Sequence, residues 1–498
     1  MSASPSDLNP TVLAAERGEG FLASSFCQQQ GSTVWLEQRP SLQLLVLAEA
    51  AMLAEFQGEP CKVAGRTALR CPCTPHNAAV LARLLPWLEP RPLGKQASFG
   101  FGDRLGNATP GHIAALRAAD PQGTFAPVFA QQSVRENSRL KRSAHDVIAA
   151  ARWGLLQQGW QQPWGADADH IKSLEDIAPF LDAGYSFYTI DPSDYVDNAA
   201  QHDDLATLRR KVQALPWQQW GSDYASLAAE YLEHPIALAT THLHVDETQL
   251  LRALAKYGRA LLHTFSLSQH ICQARPQGVD IEMSVDETDT PTSPQEHYFI
   301  ANELLRRDVP LVSLAPRFVG KFQKAVDYMG DIRLFEESLA RHAAIMQHFD
   351  AYKLSVHTGS DKFSIYGLIQ RYCQGRLHVK TAGTSYLEAL RVIAAQDVAL
   401  FRRIVEFSRE RFAQDRASYF LDADPTKVAP ADSLQPAQLE ALLEDFDARQ
   451  MLHVTFGSVL EHFHEEIFAW QGRHQAAYDK ALQRHFCKHL EPLVGQHA

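Results

Sequence analysis

The stretch VDIEMSVDETDTPTSPQEHYFIANELLRRDVPLVSLAP, residues 279–316, decides the reading of the fold. It opens on a strand-forming run, Val279–Glu287, and closes on another, Pro310–Pro316. Between them Ser293-Pro294-Gln295-Glu296 supplies an N-cap serine, a proline at the first helical position and a glutamate to close a capping box. The segment therefore reads as strand, helix, strand. Outward from it the same grammar recurs. Phe125–Gln131, Gly165–His170, Tyr185–Asp191, Tyr352–Thr358, Arg376–Thr381 and Met451–Phe456 are further strand candidates, which brings the set to eight. Ser385-Tyr-Leu-Glu388 repeats the capping box, and Ser143 and Ser173, each with an aspartate three residues on, are weaker copies.

Strands that alternate with helices imply a parallel sheet, and eight such units fit a (β/α)8 TIM-type barrel. A doubly wound sheet is the alternative. It lacks a phosphate-binding G-x-G-x-x-G, because Gly100-Phe-Gly102-Asp-Arg-Leu-Gly106 has the wrong spacing and follows no clear strand. Residues 1–95 read as a small α/β N-terminal lobe, with strand runs at Thr33–Gln38 and Leu42–Leu47 and a helix over His76–Leu85. Residues 96–498 read as the barrel. Helical insertions interrupt it at about 200–277 and 385–450, and a helical tail follows.

The 498 residues are 45% hydrophobic and 21% charged, which is ordinary for a globular chain. Lys plus Arg total 47 against 58 Asp plus Glu, a net charge of −11. That balance argues against a nucleic-acid partner, which needs basic surface. Seven cysteines are few and odd in number, which favours free thiols in a reducing cytoplasm. Cys71 and Cys73 are one residue apart, too close for the usual zinc pair. The polar N-terminus has no secretory pattern, and the apolar stretch Leu42–Phe56 is broken by Glu49 and Glu55, so no membrane span is expected. The expected partner is a small molecule, and association into a homo-oligomer is left open.

In a parallel barrel the chemistry sits at the C-terminal strand ends. Those ends carry Asp167, Asp169 and His170, then Asp191 and Asp194, then Glu282, Ser284 and Asp286 on one face by the period of two. Further on come Arg317, His357, Asp361 and Lys362, the pair His378 and Lys380, and the pair His453 and Thr455. Any one of these has a bland explanation, but their accumulation on one face points to a polar, metal-capable pocket. Histidine and carboxylate donors without cysteine suit Zn, Mn, Ni, Co or Fe. His170 and His357 are the first candidate ligands and His378 the third, with Asp286 competing for that place. Asp169 is placed to act as a base or to orient His170. Glu282, inside a buried strand, is expected to have a raised pKa suited to an acid, and its alternative is a structural ion pair with Lys380. Arg317 and Lys380 are candidates to hold an anionic group.

At these blocks the sequence resembles the tagaturonate epimerase family, also described as tagaturonate–fructuronate epimerases. The matching stretches include SFGFGDRLGNATPGH (98–112), WGADADHIK (164–172), FYTIDPSDYVDN (187–198), SVDETDTPTSP (284–294), YKLSVHTGSDKFS (352–364) and LHVKTAGTSYLEALRV (377–392). They run from about residue 97 almost to the end of the chain. The resemblance implies a metal-dependent isomerase that interconverts D-tagaturonate and D-fructuronate in hexuronate breakdown. It implies Asp169 as proton acceptor, Glu282 as proton donor, and His170 and His357 as metal ligands. The alternatives are a ketohexose epimerase acting on tagatose and fructose, an aldolase or isomerase in the same pocket, and a non-catalytic sugar-acid binding protein.

Overall fold

The computed structural model describes residues 9–39, 41–239 and 241–495. Its N-terminal lobe is built on a five-stranded antiparallel sheet. The strands are β1 (Phe21–Gln29), β2 (Ser32–Arg39), β3 (Ser41–Leu47), β4 (Glu59–Val63) and β5 (Arg66–Pro72), in the order β1-β2-β3-β5-β4. A helix over Pro75–Leu84 follows, capped by the Thr74 hydroxyl, which accepts from Asn77 N.

Eight parallel strands then close a barrel. They are β6 (Ser98–Phe101), β7 (Ala126–Ser133), β8 (Gly165–Ile171) and β9 (Phe187–Ile190). After a two-residue ribbon of β10 (Ile236–Ala237) and β11 (His242–Leu243) come β12 (Asp280–Ser284), β13 (Leu311–Ala315), β14 (Lys353–Val356) and β15 (Leu377–Thr381). Each barrel strand pairs with the next, and β15 closes on β6 through Val379↔Phe99 and Lys380↔Gly100. The inner and outer faces are both covered, so these strands are buried along most of their length.

The eighth strand is a correction. Met451–Phe456 is not a strand; residues 451–454 lie in a helix over Phe446–Val454, capped by Asp445, and Phe456 begins the next helix. The missing strand is β6, in the glycine-containing run SFGF. Glycine lowers strand propensity, yet a Cβ on Gly100 would meet Gln131 Oε1 at 2.9 Å, and one on Gly102 would meet Thr381 O at 2.8 Å. At Gly102, just past the strand, the Thr381 carbonyl leaves no room for a side chain, whereas at Gly100 it is the end of the Gln131 side chain that lies close. His453 and Thr455 leave the barrel interior with this correction: His453 Nε2 lies 3.1 Å from Ala382 O and Thr455 bonds Met451 O.

The expected capping boxes at Ser143, Ser173 and Ser293 all form. The one at Ser385 does not. The helix over Thr384–Gln396 has Gly383 as its N-cap, and the Ser385 hydroxyl donates to Gly102 O. The region around 200–277 is mostly helical and ends in a 28-residue helix, Glu247–Ala274. After β15 all remaining elements are helical, ending in a kinked helix over His464–Val494.

Candidate active site

Inside the barrel lies a buried ion network centred on Lys380 of β15. Its Nζ lies 2.7 Å from Asp167 Oδ2, 2.7 Å from Asp169 Oδ1 and 2.9 Å from Glu282 Oε1, and it also donates to the Thr189 hydroxyl. An ammonium with three carboxylates and a hydroxyl around it has no donor left for a ligand. Lys380 is thus a strut between β8, β9 and β12 and not an open anion grip. The ion pair between Glu282 and Lys380 is the structural alternative that the sequence raises.

Glu282 continues the network upward. Its Oε1 lies 2.7 Å from His357 Nε2, and the other ring nitrogen of His357 lies 3.2 Å from Asp286 Oδ1. His357 follows β14 directly. His170 faces it from β8, ring centroids 5.2 Å apart and nearly perpendicular. His170 has φ +55, at a register irregularity between Ala168 and Ile171 that turns its ring into the site. Its Nδ1 lies 3.3 Å from Asp191 Oδ2, and its Nε2 lies 3.9 Å from Asp169 Oδ1. The Gln131 amide donates to Asp169 Oδ2 at 3.3 Å.

The charges follow from these contacts. Burial pushes Glu282 up, but the Lys380 ammonium and His357 outweigh it and hold the carboxyl well below the usual range. This corrects the expectation of a raised pKa: burial alone predicts the wrong sign when a cation is in contact. Asp169 and Asp286 are lowered in the same way, against burial, by Lys380 and by His357 respectively. Asp167 is the exception. Burial and the neighbouring carboxylates prevail over Lys380 and lift it to about 6. Burial works against charge on the two imidazoles, yet Asp169 and Asp191 raise His170 to about 10, and Asp286 raises His357 to about 9.

A metal ion fits this donor set. One atom from each of His170, Asp286 and His357 lies within 4.8 Å of the others, and Asp191 with Glu287 forms an overlapping group around His170. The surroundings already favour positive charge on both rings, which a divalent cation would supply in place of two protons. His378 does not join this group. It sits two residues deeper on β15, its Nδ1 2.8 Å from Ser98 Oγ and its ring edge against Phe187. A second group, Asp361, His485 and His489, also meets the distance test. There, however, His489 Nε2 accepts from Asp361 N at 2.9 Å, and Arg449 lies 3.1 Å from Asp361 Oδ1. That group is a polar anchor between the loop after β14 and the C-terminal helix. Among the described residues no metal-capable group contains a cysteine.

Arg317 lies at the wall of the cleft above the site, but its guanidinium donates to Thr288 O and its backbone N to Thr292 Oγ1. It clamps the β12 loop to the β13 loop. Thr189, Gln131 and Lys324 belong to the site region and escape the sequence reading. Thr189 and Gln131 are neutral residues in strands, where only the inward period marks them, and Lys324 lies in a loop without any period.

A family model described as tagaturonate epimerase matches residues 22–493. A tagaturonate/fructuronate epimerase from Thermotoga maritima is 37% identical over 484 residues, covering 96% of this chain and 98% of that protein. A glycerol-complexed crystal structure of a fructuronate-tagaturonate epimerase from Cohnella laeviribosi superposes with a TM-score of 0.90 at 35% identity, covering 97% of this chain and 98% of the other. The native crystal structure of the same enzyme gives 0.88 at 34%, with the same coverage. With the fold and nearly the whole length in common, the chain belongs to the tagaturonate epimerase family of isomerases.

Proposed function

We propose that this chain interconverts D-tagaturonate and D-fructuronate, with a divalent metal and by reversible carbon–carbon cleavage. The observation that carries the reading is the pair Asp169 and Glu282, both held on one buried ammonium beside a histidine–carboxylate donor group. The two keto-uronates differ at a carbon β to the ketone. A proton there gains no acidity from the carbonyl, so direct deprotonation faces a high barrier. Retro-aldol cleavage avoids it. Asp169, anionic in this network, takes the hydroxyl proton at the β carbon. The bond to the α carbon breaks, and its electron pair remains on the half that becomes an enediolate. The other half becomes an aldehyde, rotates and is attacked on its opposite face, and the new alkoxide takes a proton from the second carboxyl. Glu282 is ionised in the resting network, and Lys380, 2.7 Å from Asp169 and 2.9 Å from Glu282, balances the step: it hands one of its protons to Glu282 and recovers the proton that Asp169 removed, so that in the reverse direction the two carboxyls exchange roles.

His170, Asp286 and His357 would hold the metal, which supplies Lewis-acid stabilisation of the enediolate charge. Asp191 orients His170, and Glu282 orients His357. Lys380 keeps both working carboxylates at fixed positions and, with Thr189, excludes water beneath them. The catalytic unit in this reading is the barrel from about residue 96 onward, and the reaction is placed in the cytoplasm. No helix among the described residues is long and apolar enough to cross a membrane.

The test is to strip the protein of metal, add back one divalent ion at a time, and follow D-fructuronate formed from D-tagaturonate. Asp169→Asn and Glu282→Gln should each abolish epimerisation while metal content is retained. Full activity in either variant sinks the acid–base assignment, and activity without any metal sinks the metal dependence. A strict need for nicotinamide would replace cleavage by transient oxidation.

A further inference from the structure

A cleft of about 470 Å³ rises from Asp286 and His357, and five cations line it: Arg135, Arg317, Lys321, Lys324 and Arg416. Four of them are committed elsewhere. Arg317 donates to Thr288 O, Lys321 pairs with Asp422 at 2.7 Å, Arg416 donates to Leu421 O at 3.1 Å, and Arg135 lies 3.5 Å from Glu287. Lys324 differs. Its ammonium donates to the Thr358 hydroxyl at 2.9 Å, a neutral partner, and no carboxylate pairs with it among the described residues. Burial and the neighbouring Arg135 guanidinium hold its ammonium below the usual lysine range, against the pull of the more distant Glu136, Glu287 and Asp286. A half-buried cation beside a second cation is a poor arrangement until an anion arrives.

The loop that carries Lys324 is tied down carbonyl by carbonyl. Lys362 donates to Gln323 O at 2.9 Å and to Val326 O at 2.5 Å, the Gln450 amide to Lys324 O at 3.3 Å, and Arg449 to Ala325 O at 2.7 Å. Asp361 answers Arg449 from below. The buried cluster that resembles a second metal group thereby fixes the backbone on either side of Lys324. Its other end is the loop after β14, where Thr358, the partner of Lys324, directly follows His357. One short loop thus serves the reacting carbons through His357 and the far end of the substrate through Lys324.

We infer that Lys324 grips the substrate carboxylate and so sets the preference for a uronate over an uncharged ketohexose. This rests on the epimerase reading above. It also answers a need of that reaction. When the bond between the α and β carbons breaks, the carboxylate stays with the aldehyde half. That half must turn its opposite face to the enediolate without leaving. A cation that holds the carboxylate lets the aldehyde carbon swing about its own bond while the fragment stays in place.

The test uses the full, metal-loaded chain with D-tagaturonate and D-tagatose in parallel, and measures both epimers and three-carbon products. Lys324→Met should lower kcat/KM for the uronate by roughly 100-fold, mainly through KM, as expected for loss of one partner of a half-buried charge pair. Turnover of D-tagatose should be no lower than in the unaltered chain, and three-carbon products should rise relative to epimer. Lys324→Arg should recover part of the uronate activity and, with a melting curve on each variant, separates charge from folding. Equal loss on both substrates, or uronate kinetics untouched by Lys324→Met, overturns the assignment while leaving the epimerase reading intact. An unaltered chain that turns over neither substrate overturns both.

Discussion

Replacing Lys380 by Met removes the one ammonium from the centre of the barrel and leaves the shape nearly unchanged. The charge ledger there is severe. Asp167, Asp169 and Glu282 are all buried, and each loses a partner at 2.7 to 2.9 Å. Breaking a buried pair from one side costs about 3–5 kcal/mol. An independent limit agrees. A carboxyl with an ordinary pKa near 4 can escape by taking a proton at pH 7, at a cost of about 4 kcal/mol. The loss should therefore be about 4 kcal/mol, a large part of an ordinary folding stability of roughly 5–15 kcal/mol. Asp167, already lifted to about 6, is the carboxyl nearest to being neutral. Adding Asp167→Asn to the Lys380→Met variant should consequently return at least about 1 kcal/mol, and the cycle of four proteins should show coupling between the two sites.

Denaturant unfolding of the metal-stripped proteins reads the stability, and steady-state kinetics on D-tagaturonate reads the role. A strut that positions Asp169 and Glu282 affects the transition state, so kcat should collapse with KM little changed. A residue that holds the substrate's anion would raise KM first. Stability within about 1 kcal/mol of the unaltered chain, or a KM effect with kcat preserved, refutes the strut.

Two further perturbations are cheaper. His112, His342, His485 and His489 are held neutral by burial, at about 3, 4, 4 and 3, and His297, His378 and His453 lie well below the ordinary value for the same first cause. The unfolded chain protonates all seven below about pH 6.5 and the folded chain does not, so stability should fall as pH drops from 6.5 toward 4, by about 1.4 kcal/mol per pH unit for each net proton. Asp167 and Asp479, both raised to about 6, take up protons in the fold and oppose this with two, so a stability curve flat from pH 6.5 to 4.5 contradicts the assignment. Metal loading at pH 7 should release about two protons, because His170 and His357 are charged in the metal-free site. Calorimetry in buffers of different ionisation enthalpy measures that number, and release of none would place the metal elsewhere.

The barrel is legible because seven of its strands carry apolar runs that end in polar residues, with helix caps between them. The boundaries agree to within a few residues, Val279–Glu287 against Asp280–Ser284 for instance. The eighth strand is not legible, for a physical reason. SFGF contains Gly100 and is followed by Gly102, which packs against the Thr381 carbonyl, and glycine is what a strand reading penalises. Met451–Phe456 misleads in the opposite sense, since a fully buried helix loses the polar face that would give away its period. The site divides along the same line. Asp169, His170 and His357 stand near strand ends and Glu282 inside β12, and the order of elements alone brings them together. What each one does depends on fields that no local pattern contains. Burial argues that Glu282 holds its proton, and a lysine almost a hundred residues away, in a strand three places around the barrel, reverses the sign. Lys324 is harder still. Nothing in KFQKAVD distinguishes it from Lys321, and only the partners separate them. Asp422 neutralises Lys321, whereas four carbonyls held from beneath fix the loop of Lys324 and leave its ammonium facing a hydroxyl. A cation's availability is a property of everything around it, and for that reason the handle for the substrate's carboxylate is visible only once the chain is folded.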